Sequence, residues 1–366
     1  MSEFVLLLLW IFAVAYIYIL IPVQNYEFVC GVRVKRVKWF FAFLLFVPVI
    51  FMVATRPNSI GDTYAYEQFF SNLPNSLIQL LRYVPTVSKD RGFSLLSGII
   101  KIIFGESTVI YFLILAIVQS ISLIYVYRKY SVNYWISMFL FIASTDYLSW
   151  MYNGVRQFTA VAIIFAATPL ILKKKWIFLI PIIFLASTIH GSALLMLPIV
   201  FIVQGRAWNK KTVLLILICV IIFAFADQFT NSLEILLSDT QYTNVVSDWQ
   251  EMNDNGTNLV RVLVYSVPAL LSFFARKKIS YINNPVINLS TNMSIISAAI
   301  YLISAGTSGV FLGRLPIYTS LYGYLLLPYL LNEMFTKNSS KLMYIIMIFA
   351  YLLFYYYQIH LTWALI

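Results

Sequence analysis

The sequence predicts an all-α polytopic membrane protein with about 11–13 transmembrane or re-entrant helices, since a crossing takes about 20 apolar residues. Three observations predict it. Of 366 residues, 61% are hydrophobic and only 11% charged, less than half the charged share of about 25% in soluble domains. Apolar runs of membrane length follow one another along the chain, separated by short basic loops. No polar stretch is long enough for a separate soluble domain, so residues 1–366 are expected to form one integral membrane domain.

The expected spans run in order. Residues 3–22 are apolar without a basic leader or a small-residue cleavage site, which predicts a retained first helix. Residues 37–54 follow the basic loop Val32–Lys38, and 108–127 end at Arg128-Lys129. Residues 132–149 and 154–172 lead to Lys173-Lys174-Lys175. The 29 residues Trp176–Gln204 have basic flanks on both sides and are too short for two full helices. They read as a hairpin, 176–188 and 191–204, turning at Thr188–Ser192. Residues 211–226, 259–275, 286–304, 312–331 and 342–358 complete the set. Phe93–Phe104 carries Lys101 and is too short to cross, so it reads as interfacial or re-entrant. Two longer outer loops remain, 55–92 and 227–258, rich in aromatic, Asp, Asn and Gln residues. Such residues suit sugar faces and hydroxyls, and equally suit an ordinary interfacial loop.

Basic loops collect on the cytoplasmic side of membrane proteins. Placing them there leaves two lysines, Lys89 and Lys101, outside, but six of eleven arginines: Arg56, Arg82, Arg91, Arg156, Arg261 and Arg314. Arginine forms a planar, permanently charged fork that matches phosphate, whereas lysine is a point charge. An exception confined to arginine points to an anion site on the outer face.

Several classes are excluded. The formal charge of +11 is spread over short loops, not gathered in the basic patch of a nucleic-acid binder. Cys30 and Cys219 make neither a disulfide framework nor a zinc motif. There is no P-loop, GxSxG or DxD-type metal motif, so neither metal nor cofactor is expected.

Arg156, Arg261 and Arg314 stand at the outer starts of helices. A helix N-terminus is already positive and offers free N–H groups, so an arginine there is favourable when an anion joins it. Snorkelling, or a salt bridge from Arg156 to Asp146, would satisfy the same charge. His190, at the hairpin turn, has the chemistry of a base or of a phosphate-binding imidazolium, or of a histidine bonded to its neighbours. Asp62 is placed either to act on a sugar hydroxyl or to cap the next helix.

Five segments then carry a resemblance: Gly61-Asp62-Thr63-Tyr64-Ala65-Tyr66, Asp90-Arg91-Gly92-Phe93, Asn153-Gly154-Val155-Arg156-Gln157, His190-Gly191-Ser192-Ala193-Leu194, and Gly313-Arg314 ahead of Tyr318. In order and spacing the chain resembles the EpsG family of Wzy-type bacterial polysaccharide polymerases. The resemblance implies a GT-C-like fold in the inner membrane and a metal-independent, inverting glycosyltransferase facing the periplasm. The growing glycan would leave undecaprenyl diphosphate for the non-reducing end of a fresh lipid-linked unit, with a chain-length regulator as a further partner. On that reading Arg156 and Arg314 hold the donor diphosphate and Arg261 assists. His190 and Asp62 activate and orient the acceptor hydroxyl. Asn153, Gln157, Tyr66 and Arg91 contact substrate, as does Tyr242 of the second outer loop. A flippase for lipid-linked oligosaccharides, a ligase, an O-acetyltransferase or another GT-C transferase would use similar groups.

Overall fold

The computed structural model describes residues 3–21, 26–237, 251, 254 and 256–362. About 78% of the chain is helical, and the molecule is an all-α, multi-pass membrane protein. Among the described residues four helices are long and apolar enough to cross a bilayer: Glu3–Leu20, Thr108–Tyr130, Pro285–Ala305 and Lys337–Thr362. Two bent pairs raise the number to six: Lys210–Ala224 with Ala226–Ser232, turned by 96°, and Leu259–Phe274 with Arg276–Ile282, turned by 70°. Other expected spans are shorter or broken. The 132–149 stretch breaks at Thr145, whose φ of +57° cannot continue a helix. The 154–172 stretch breaks at Ala167, ahead of Pro169. The 312–331 stretch becomes a 3-10 turn and two short helices.

Packing divides the chain into two compact units, Met1–Leu197 with Leu331–Ile366, and Pro198–Leu330. The first contains α1 (Glu3–Leu20), a hairpin of β1 (Tyr26–Val29) and β2 (Val32–Lys35), and α2 (Trp39–Ala54). The stretch expected as an outer loop is mostly helical: α3 (Thr63–Ser71), α4 (Leu77–Tyr83) and the start of α5 (Arg91–Phe104). Then come α6 (Thr108–Tyr130), α7 (Tyr134–Ala143), α8 (Asp146–Tyr152), α9 (Val155–Ala166), α10 (Thr168–Leu172) and α11 (Trp176–Ile189).

Polar contacts fix the helices where apolar burial alone would let them slide. Gln119 of α6 donates to Thr159 Oγ1 of α9 at 3.0 Å, and Tyr134 of α7 donates to the Ala42 carbonyl of α2 at 2.9 Å. Helix α5 is 14 residues long and amphipathic. Its buried residues form one stripe, and Lys101 within that stripe donates to the Ser71 and Leu73 carbonyls at 2.6 Å each, closing the end of α3. Serine and asparagine begin several helices, as Ser107 does for α6 and Asn133 for α7.

In the second unit the central helix is Pro285–Ala305, which buries Asn288, Asn292 and several Ser and Thr. Asn292 donates to the Val203 and Arg206 carbonyls and accepts from Trp208 N–H; Asn288 accepts from Ala207 N–H. The helix thereby satisfies the non-helical backbone beside it, which membrane surroundings require. At the other end, Asp254 accepts bonds from Ser308 Oγ (2.6 Å) and the N–H groups of Val310 (2.8 Å), Gly309 (3.0 Å) and Gly256 (3.1 Å). Burial alone would raise its pKa, but these four donors hold the carboxyl below its ordinary value.

Candidate active site

Four sequence motifs meet at one end of the first unit. Helix α2 delivers Gly61 and Asp62, and Asn153 follows the end of α8. Gly61 has φ +52°, and the Asn153 side chain occupies the place a Cβ would take, so only glycine lets these segments touch. Asn153 Oδ1 accepts from Asp62 N–H at 3.3 Å, and its carbonyl accepts from the Tyr66 hydroxyl at 3.4 Å. Gly92 packs in the same way against Thr188, which brings the start of α5 onto the end of α11. Thus Gly61 marks where one motif rests on another, and Gly92 where a motif rests on the helix end that leads into His190.

The charged groups gather around Asp90. Its backbone is left-handed, with φ +55°, a conformation costly for a residue with a side chain and often found where function requires it. Asp90 Oδ2 accepts from Arg156 Nη1 at 2.9 Å and lies 3.5 Å from His190 Nδ1. The carboxylate side chain is 13% exposed, whereas that of Arg156 is 45% exposed. The second distance is long for a hydrogen bond. His190 Nδ1 is buried, with no hydrogen-bond partner among the described residues, so Asp90 is the acceptor facing it. A cleft of about 400 Å³ opens here, lined by Asp62, Tyr66, Lys89, Asp90 and Arg156 among others. Gln157 Nε2 donates to Ser192 Oγ at 3.3 Å, pinning the turn that carries His190.

The expected site residues therefore divide. Asp62, Tyr66, Asn153, Arg156, Gln157 and His190 come together through the contacts above. Arg91 does not line the cleft, and its Nε donates to the Val87 carbonyl at 2.8 Å. Arg261 and Arg314 belong to the second unit, Arg261 half-buried in the first turn of Leu259–Phe274 and Arg314 exposed in the turn Leu312–Arg314. They flank the two loops that Asp254 ties together. Tyr242 lies outside the described residues. The suggested Arg156–Asp146 bridge is replaced by Arg156–Asp90, and buried Asp146 accepts from Gln358 Nε2 at 3.4 Å.

Sequence reasoning missed Asp90 as a site residue. Its signal was the Asp-Arg-Gly-Phe motif, in which the acid precedes a glycine needed for close packing. Among the described residues no three His, Cys, Asp or Glu side chains converge as metal ligands do.

Two carboxylates and a half-exposed guanidinium line the cleft, and the His190 imidazole faces Asp90 from beside it, a set that can bind a phosphate ester and move a proton. Arginine has five N–H donors, and the bond to Asp90 uses one of them. A carboxylate at His190 Nδ1 favours a proton there and leaves Nε2 free to accept another. A model of the EpsG family matches residues 39–363. The chain belongs to the EpsG family, a family of Wzy-type polysaccharide polymerases. No curated protein and no solved structure matches it. The motifs of this EpsG-family chain are thus the segments that converge on Asp90, with the exception of Gly313-Arg314 in the second unit.

Proposed function

We propose that this EpsG-family protein polymerises oligosaccharide repeat units carried on a polyprenyl diphosphate such as undecaprenyl diphosphate. The bond between the anomeric carbon of the growing glycan and its lipid diphosphate breaks. A new glycosidic bond forms to a hydroxyl at the non-reducing end of a fresh lipid-linked unit. The acceptor proton passes to His190 Nε2, and the electron pair leaves on the diphosphate. Arg156 stabilises the charge that develops there, the kind of fixed donor that commonly supplies the largest part of catalysis. Asp90 orients both groups, Asp62 and Tyr66 position the acceptor sugar, and Asn153 and Gln157 hold the two segments in place. Arg261 and Arg314 are phosphate-binding residues of the second unit by itself.

The observation that carries this reading is one carboxylate, Asp90, touching the arginine on one side and facing the histidine on the other. Direct inverting displacement needs a base and a stabilised leaving group, and this cluster supplies both without a metal. A GT-C-like arrangement, an inner-membrane location with the cleft toward the periplasm, and a chain-length regulator as partner belong to the same proposal. The test is polymerisation by purified protein reconstituted with lipid-diphosphate-linked repeat units, with and without chelator. Ladders of equal length are expected in both. Single units throughout would sink the polymerase assignment, and loss with chelator would sink the metal-free mechanism.

A further inference from the structure

The opposite end of the first unit carries a second basic site, which the proposed reaction does not use. Helix α2 starts at Trp39 at this end and delivers Asp62 at the other. The β1–β2 hairpin, the end of α1, the end of α6 and the loop before α7 enclose a cavity of about 390 Å³. Four cations line it, Arg33, Lys35, Arg36 and Arg128, together with Asn133 and Trp135 among others, and no carboxylate does. Glu27 pairs with Arg36 Nη1 at 3.3 Å from outside the lining.

Three of the cations are held in place by neutral groups, and Arg36 pairs with Glu27. Lys35 Nζ donates to the Ile21 carbonyl at 3.0 Å, capping α1. Arg128 Nε donates to the Val37 carbonyl at 2.6 Å, and its guanidinium lies over Trp39. Arg33 lies over Tyr26. The Arg36 side chain is only 13% exposed, and its Nε is buried without a partner among the described residues. A part-buried guanidinium beside three like charges and a single carboxylate is costly unless an anion joins it. Lys173, Lys174 and Lys175 form the contrast, since all three are exposed and need no partner beyond water.

The surroundings identify the anion. Pairing of Tyr26 with Lys35 and Phe28 with Arg33 puts two aromatic residues and two cations on one face of the hairpin. Phe28 is 77% exposed, and Ile19, Leu20, Trp39 and Phe40 are also exposed nearby. Aromatic and aliphatic residues beside a basic pocket at helix ends are what a lipid presents itself to, its phosphate in the pocket and its tails along the apolar wall. We infer that this cavity binds the phosphate of an anionic phospholipid headgroup, anchoring α1, α2 and α6 to one another at this end. The inference does not depend on the polymerase reading.

The test is titration of the purified full-length protein in neutral detergent with phosphatidylglycerol, phosphatidylcholine or inorganic phosphate. Bound lipid is counted by native mass spectrometry, and melting is followed in parallel. Phosphatidylglycerol is expected to be retained and to raise the melting temperature, while phosphatidylcholine and inorganic phosphate do neither. Each basic residue near an anionic surface contributes roughly a fivefold gain in binding, so Arg36→Gln with Arg128→Gln should weaken retention roughly 30-fold. Glu27→Gln, which removes the half-exposed carboxylate paired with Arg36, should tighten it severalfold. Neutralising Lys173, Lys174 and Lys175 together should change it less than twofold, taking roughly twofold as no effect on this scale. An equal loss from the three lysines would mean diffuse surface charge and overturn the site. Protection by inorganic phosphate alone would overturn the lipid assignment, and Glu27→Gln without effect would remove the charge argument.

Discussion

Arg56 and Arg156 sit at the same end of the first unit, are both arginines beside helix termini, and do opposite things. Arg56 is 6% exposed. Its Nη1 donates to the Met151 and Tyr152 carbonyls at 2.8 and 3.1 Å, and its guanidinium lies 3.6 Å from the Phe112 ring centre. It closes the C-terminus of α8, where a cation is welcome, and packs against an aromatic face. Arg156 stands at the N-terminus of α9, where the helix offers nothing to a cation, and is held by Asp90 with nearly half its side chain open to the cleft. Residue type is shared; which end of a helix the charge meets, and whether water reaches it, separates scaffold from site.

The comparison can be broken by exchanging the outcomes of two substitutions. Arg156→Ala should lower polymer formation by about 100-fold or more, the usual effect of removing a fixed donor to a developing anion, with unchanged abundance in the membrane. Arg56→Ala should leave two buried carbonyls unpaired and cost about 2–4 kcal/mol of stability, read as lost abundance on immunoblots while the surviving protein keeps its activity per molecule. A stable, inactive Arg56→Ala would refute the division.

Asp90→Asn sharpens the site half of the comparison. It keeps the shape but removes the charge that Arg156 and His190 share, so polymer yield should fall about 100-fold, the low end of what general acid–base catalysis contributes. Combined with Arg156→Ala it should cost far less than the product of the two, because groups that act as a unit are not additive. A multiplicative double variant would mean that the two residues act apart.

Gly61→Ala tests the scaffold that brings the motifs together. A Cβ there meets Asn153, and overpacking of this kind costs about 1–3 kcal/mol. Adding Asn153→Ala should return the steric part in a thermal melt and leave the penalty of the positive φ. The smallest effect is expected in the second unit. The folded carboxyl of Asp254 titrates below its ordinary value because of hydrogen bonds from Ser308, Val310, Gly309 and Gly256, which outweigh burial. A depressed folded pKa gives stability that is complete above the unfolded value, about 3.9, and is lost as pH falls through the folded one. Wild type should therefore melt a few degrees above Asp254→Asn at neutral pH, and the gap should narrow on acidification.

Much of this was legible in the chain. Asn133, Ser107, Asn258 and Asn284 mark helix starts by type alone, and the helix break at His190 falls inside the turn expected at Thr188–Ser192. The break at Thr145 was less legible, because neither Gly nor Pro marks it, although Ser144, Thr145 and Asp146 interrupt the apolar run. Asp146 was the obvious partner for Arg156 by closeness in sequence, but the true one, Asp90, is 66 residues away. That pairing depends on how α5 packs against α11, which no local pattern encodes. Arg56 read as a loop residue because its ring partner, Phe112, lies on α6.

The central claim is that Arg156, held by Asp90 beside His190, stabilises a diphosphate leaving group during polymerisation. The most direct measurement is the length distribution of lipid-linked glycan in cells carrying only Arg156→Ala, corrected for the amount of protein in the membrane. The account expects single repeat units where wild type gives a ladder. A full ladder at wild-type intensity would contradict it.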